Sequence, residues 1–358
     1  MNSADLRIVS LIPSATEIVA ALGYGDCLVG RSHECDYPAA VTELPICTEP
    51  KFAPVGTSGE IHERVTELLA SALSVYRVKT DILAALKPTH IITQAQCEVC
   101  AVSLSDVEQA VTSLVSANPV DANGSESPIK ESPIKIVSLQ PACLADVWTD
   151  MAQVAEALGG STASKASTET VIEQLRTRLP VVNQSPPDQQ PDQQPDQQPT
   201  VVCIEWTDPL MAAGNWVPEL VTLAGGHDCL GKAGAHSDWM SWETLVATDP
   251  DIIIVMPCGY DMAEAHKATL EMAAHEAWTQ LKAVKNERVY LTDGNQYFNR
   301  PGPRLVDSWE ILAEIIQGKP VSASRSSIGW QLFGEASNNE ASNNGASNNG
   351  ASNNGASN

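Results

Sequence analysis

The chain has 358 residues, enough for two or three domains, and its 43% of hydrophobic residues suffices for packed cores. A formal charge of −23, from 44 acidic and 21 basic side chains, excludes a nucleic-acid binder, because phosphate neutralisation needs clustered Lys and Arg. No run of about eighteen apolar residues occurs, so no membrane-inserted helix is expected, and nine irregularly spaced cysteines fit a reducing compartment better than a disulfide framework.

The opening MNSADLRIVSL has neither the basic nor the apolar region of a secretory signal, which predicts a cytoplasmic chain, or a periplasmic one if the true start lies upstream. RIVSL (7–11) is a short buried strand. SATE (14–17) reads as a capping box, Ser14 capping and Glu17 reaching back, on a helix that ends at Gly23. CLVGR (27–31) is the next strand. A helix over 80–87 is stopped by Pro88, and HIIT (90–93) follows as a strand. A capped amphipathic helix from Ser105 to about Ala117 leads to the strand KIVSL (135–139). The second half repeats this grammar. VVCIEW (201–206) is a strand, and a helix over 216–223 closes at Gly225-Gly226. A helix over 241–248 then precedes the strands DIIIV (251–255) and RVYLTD (288–293), and the last helix covers 303–316.

ILAALKPTHIIT (82–93) and TLVATDPDIIIV (244–255) align without a gap as helix, Pro and β-branched strand, so the chain carries an internal repeat and two similar lobes. The fold class expected is α/β: two Rossmann-like lobes with mainly parallel sheets joined by one long helix. The N-terminal lobe is placed at 1–160, with a disordered insert at about 121–134. The connecting helix is placed at 161–183, where Val171, Leu175 and Leu179 recur every four residues. The PDQQ repeat (184–199) and the ASNNG tail (335–358) lack the apolar content to order, and the C-terminal lobe spans 200–320. Ligand loops in open α/β sheets lie at the carboxyl ends of strands, so the loops after Leu11, Arg31, Thr93, Trp206, Val255 and Asp293 are expected to meet at a cleft between the lobes.

RIVSLIPSATEIVAALG (7–23), Asp36-Tyr37-Pro38, LKPTHIIT (86–93), VPELVTLAGG (217–226), SWETLVATDPDIIIV (241–255) and YFNRPGPRLVD (297–307) together resemble the substrate-binding proteins of ABC importers for cobalamin, haem and ferric siderophores. The cobalamin-binding branch is the nearest resemblance. It implies the class III substrate-binding architecture, a monomer, no enzymatic activity, and cobalamin or a related corrinoid held as ligand by aromatic faces and a few polar anchors. The ligand-binding residues expected are Glu34, Tyr37, Gln94, Trp206, Trp216, Tyr297, Phe298, Asn299, Arg300 and Arg304. A corrin ring is a flat apolar disc with an amide fringe, which suits Trp and Tyr faces beside Arg. The resemblance also implies docking to an ABC permease through one acid on each lobe, Asp81 and Glu243, which open the two repeat helices. Ferric siderophore or haem is the alternative ligand class.

HECDYP (33–38) and QCEVC (96–100) depart from that pattern by adding His33, Cys35, Cys97 and Cys100 at the same sheet edge. Three readings stay open. The four side chains form a zinc or other transition-metal site, as in a cytoplasmic metal-binding protein or metalloenzyme. Alternatively, His33 or a thiolate is an axial ligand of corrinoid cobalt. Or His33 and Cys35 shape a loop, and Cys97 and Cys100 are small buried hydrophobes or a reversible disulfide, with Glu34 and Asp36 capping or bonding locally. Nothing in the sequence supplies the oxyanion hole that a catalytic Cys–His pair needs. The remaining histidines share no ligand spacing.

Overall fold

A computed structural model describes residues 5–71, 74–95, 102–116, 134–159, 162–180, 198–319 and 329–334. Cys97, Cys100, most of the 121–134 insert and nearly all of the PDQQ and ASNNG repeats lie outside the described residues. The chain divides into two compact units, residues 1–182 with 300–306, and residues 183–299 with 307–358.

The first unit contains β1 (Ile8–Ser10), α1 (Pro13–Ala21), β2 (Leu28–Arg31), β3 (Thr48–Pro50), α2 (Ser58–Ala70), β4 (Tyr76–Val78), α3 (Thr80–Leu86), β5 (His90–Gln94), α4 (Leu104–Ser116), β6 (Lys135–Leu139), α5 (Leu144–Leu158) and α6 (Thr162–Arg176). Its sheet runs β2-β1-β5-β6 and every pairing is parallel. β3 and β4 form a separate antiparallel pair. Val9, Leu11, Leu83, Ile91 and Val107 make one core cluster beside the sheet. Ile8 and Ile92 are equally buried, so both faces of the strands are covered, as a parallel sheet requires.

The second unit contains β7 (Thr200–Thr207), β8 (Leu210–Ala212), α7 (Val217–Leu223), β9 (His227–Asp228), α8 (Trp242–Thr248), β10 (Ile252–Val255), α9 (Met262–Ala273), α10 (Lys282–Lys285), β11 (Val289–Thr292), α11 (Leu305–Gln317) and β12 (Trp330–Leu332). The order β12-β11-β10-β7-β8, with β9 also on β7, is parallel through β11, β10, β7 and β9 and antiparallel at β8 and β12. Each unit thus has the same three-strand parallel centre, β1-β5-β6 in one and β7-β10-β11 in the other.

The repeat is structural as well as sequential. α3 and α8 are both seven residues long, bury Leu83 and Leu245 completely, and end on left-handed residues, Lys87 at φ 47° and Asp249 at φ 41°. Pro88 and Pro250 follow, blocking further helix, and each chain turns directly into a buried strand.

Four local expectations change. The box at 14–17 does not form: α1 starts at Pro13, its N-cap is Ile12 with no side-chain bond, and Ser14 and Glu17 are both buried within the helix. Pro at the first helical position supplies the required φ and needs no donor, so Glu17 is released for another role. α4 is opened by Ser103 instead of Ser105, its Oγ accepting from the Asp106 amide at 3.2 Å. α6 stops at Arg176, short of 183, because Pro180 disfavours helical backbone at the residue before it. Residues 300–306, expected with the C-terminal lobe, belong to the first unit.

Candidate ligand site

The carboxyl ends of β1 and β2 bring two sequence segments together. α1 leaves β1 and carries Glu17. The chain leaving β2 runs through His33, Glu34, Cys35 and Asp36 to Tyr37, whose bond to Pro38 is cis. Arg31 shapes that loop from the inside: its Nη1 donates to the carbonyls of Ser32 and Cys35, each at 3.0 Å, and its Nη2 to the Thr42 carbonyl at 3.0 Å.

Segment 300–306 completes the site. Arg300 forks onto Asp36, Nη1 to Oδ1 at 2.6 Å and Nη2 to Oδ2 at 3.1 Å. The same Nη1 reaches Glu17 Oε1 at 3.2 Å, and Nη2 reaches the Glu34 carbonyl at 3.5 Å. Arg304 pairs with Glu17 Oε1 at 3.5 Å and lies over the Tyr37 ring, 4.3 Å from its centroid. Glu17 is 1% exposed and Arg300 6%, whereas Asp36 is 42% exposed, so the cations lie deep and one acid faces water. Burial lifts the Glu17 carboxyl to about 7 despite its two arginines. Burial likewise raises Glu34 to about 7, against the Tyr76 hydroxyl that donates to its Oε1 at 3.0 Å.

His33 and Cys35 are directed to different partners. The His33 ring has Nδ1 2.8 Å from Thr48 Oγ1, packs beside Tyr76, and is held neutral with a pKa lowered to about 4, first by burial and then by Lys79 and Arg31. Cys35 is buried with its Sγ 3.0 Å from the Thr16 hydroxyl, and burial pushes its thiol up to about 11. Among the described residues no three His, Cys, Asp or Glu side chains stand where they could hold a metal ion. Two of the four residues proposed for one, Cys97 and Cys100, lie outside the described residues.

The other expected ligand residues separate into groups. Glu34, Tyr37, Arg300 and Arg304 converge as described, and Gln94 is buried at the end of β5 in the same unit. In the second unit Trp206 is half-buried, bonds through Nε1 to the Asp208 carbonyl at 3.0 Å and meets Tyr260 edge-on. Trp216 is buried, its Nε1 donating to the Phe298 carbonyl at 2.7 Å. Tyr297 and Phe298 are interior residues, and Phe298, fully buried with its amide on Ser308 Oγ, packs the unit. Asn299 Nδ2 donates to the Met256 carbonyl at 3.2 Å and the Gly294 carbonyl at 3.0 Å. Of the YFNR run, Arg300 belongs to the first unit and joins the cluster at Tyr37. Glu17 and Asp36 were not among the expected ligand residues. A lone acid inside the apolar run IVSLIPSATEIVAALG was the readable signal for the first.

Two Rossmann-like sheets and, at the carboxyl end of one, a polar cluster beside an exposed aromatic ring are the architecture of a ligand-binding α/β protein. The chain belongs to the periplasmic binding protein family, whose model matches residues 8–296 and whose members are substrate-binding proteins, not enzymes. It is 24% identical over 317 residues to the uncharacterised ABC transporter substrate-binding lipoprotein YvrC of Bacillus subtilis, covering 87% of this chain and 79% of that one. It is also 24% identical over 305 residues to a vitamin B12-binding protein of Vibrio cholerae, covering 85% and 86%. A periplasmic haem-binding protein from Pseudomonas aeruginosa shares the fold with a TM-score of 0.59 at 20% identity, over 89% of this chain and 95% of that one.

Proposed function

We propose that this protein binds cobalamin or a related corrinoid and presents it to an ABC permease. Tyr37 carries the reading. Its ring is 48% exposed, one face is covered by the Arg304 guanidinium, and it stands at the carboxyl end of the sheet where α/β proteins take ligands. An exposed aromatic ring held by a buried ion-pair network is a rigid platform for a flat apolar macrocycle, and rigidity lowers the entropy lost on binding. The relative named for vitamin B12, similar over most of both chains, supports the same ligand class.

Asp81 and Glu243 are both exposed, and each is the second residue of its repeat helix. The repeat therefore offers one carboxylate at the same position of each unit, and these are the residues we assign to the permease. An acid in the first helical turn is also favoured by the helix dipole, but only by a few tenths of a kcal/mol.

The test is titration of the purified chain with cyanocobalamin, followed calorimetrically. A 1:1 complex is expected, weakened about tenfold by Tyr37→Ala through loss of the ring contact. Binding of haemin with a Soret shift, and none of cyanocobalamin, would overturn the assignment.

A further inference from the structure

We propose that this site selects a ligand whose facing edge carries amide donors rather than carboxylates, because its own acids have already neutralised its arginines and it presents acceptors outward. The inference rests on the corrinoid reading and narrows it to a polarity of ligand fringe.

Neither guanidinium of segment 300–306 is turned outward. Arg300 is 6% exposed and contacts Asp36, Glu17 and the Glu34 carbonyl. Arg304 shares Glu17 and spends its flat face on Tyr37. Of the other cations near the cluster, Arg31 is buried and committed to backbone carbonyls, and Lys79 is paired with Glu49 at 3.4 Å. Three carboxyl groups, Glu17, Glu34 and Asp36, stand against Arg300 and Arg304. The most exposed charged member of the cluster is an acid, Asp36 at 42% side-chain exposure, and beside it stands the partly buried Glu34, at 34% and with Oε1 accepting from Tyr76.

An approaching ligand therefore meets a phenol ring and carboxylate oxygens. A carboxamide can donate N–H to those oxygens. A carboxylate has no donor to offer, adds a like charge, and among the described residues of this cluster finds no guanidinium open to receive it without breaking the Asp36 fork. Exclusion here works by what the site lacks, and that distinguishes an amide-fringed corrinoid from haem, with its two propionates, and from carboxylate-bearing iron chelates.

The probes are cyanocobalamin, the same compound with its propionamides hydrolysed to carboxylates, and haemin, titrated at pH 8 into wild type, Asp36→Asn and Glu34→Gln. The amide form is expected to bind wild type at least tenfold more tightly than the carboxylate form. Asp36→Asn, which loosens the fork and removes a negative charge, should cut that ratio to threefold or less. Glu34→Gln reports the same change if the first variant does not fold. Equal or tighter binding of the carboxylate form to wild type would overturn the inference and leave the corrinoid reading standing. So would a ratio unchanged in both variants. Binding of haemin alone, or of no probe, would remove the corrinoid reading and this inference together.

Discussion

Arg300 has two acid partners, and geometry and burial rank them in opposite order. The Asp36 contact is bidentate and as short as 2.6 Å, yet Asp36 is 42% exposed; the Glu17 contact is 3.2 Å, yet Glu17 is 1% exposed. At 3.2 Å with an effective dielectric of about 20, two unit charges interact by about 5 kcal/mol, and at 2.6 Å in fully screening water by about 1.6 kcal/mol. Desolvation consumes much of the first figure and solvent competition much of the second. The expected coupling energies are about 2–3 kcal/mol for Arg300–Glu17 and under about 1 kcal/mol for Arg300–Asp36. Double-mutant cycles with Arg300→Met, Glu17→Gln and Asp36→Asn, read by urea unfolding of the full chain at pH 8, measure both. Above the Glu17 value of about 7, all three partners are charged. The single Arg300→Met change should cost about 3–5 kcal/mol, mostly because Glu17 is left buried without it. A larger coupling to Asp36 than to Glu17 would show that the shorter contact, not the drier one, governs this cluster.

Two further outcomes follow from the same residues and from the repeat. Glu17 is raised from an ordinary value near 4.5 to about 7, so between those values the folded chain binds its proton more tightly than the unfolded chain does. Its contribution to stability is complete below pH 4.5 and is lost as pH rises to 7, by about 3 kcal/mol in all. The difference in urea midpoint between wild type and Glu17→Gln should therefore fall across that window, and a difference that stays level would refute the assignment. Lys87→Gly should raise the melting temperature by an amount equivalent to about 0.5–1 kcal/mol, because glycine takes the left-handed cap without strain. Asp249→Gly should gain nothing, since Asp249 Oδ1 also accepts the Lys282 amide at 2.7 Å; equal gains at both caps would contradict that distinction.

Much of the fold was legible because its signals are local. Leu83, Lys87, Pro88 and the strand after them recur at Leu245, Asp249, Pro250 and β10, and short-range sterics alone require the same helix, left-handed cap and strand in both places. Other local signals were present and passed over. T-S-G-E at 57–60 and D-M-A-E at 261–264 are capping boxes that open α2 and α9, and both form reciprocal bonds in the structure. The one box that was read, at 14–17, is absent. The pattern that identifies a box, a hydroxyl three residues before an acid, cannot report a competing partner elsewhere in the chain.

That competing partner is Arg300, 283 residues away from Glu17, and here tertiary structure decided what sequence could not. Composition and periodicity determined the α/β class, the repeat and the absence of membrane-spanning apolar runs, because each depends on residues within one turn or one strand. The site depends on which distant charges share one low-dielectric interior. Glu34 and Asp36, expected to bond locally, instead serve Tyr76 and Arg300, and Phe298, expected to face a ligand, fills the core. Burial and pairing of charge are properties of folded volume, and no spacing along the chain encodes them directly.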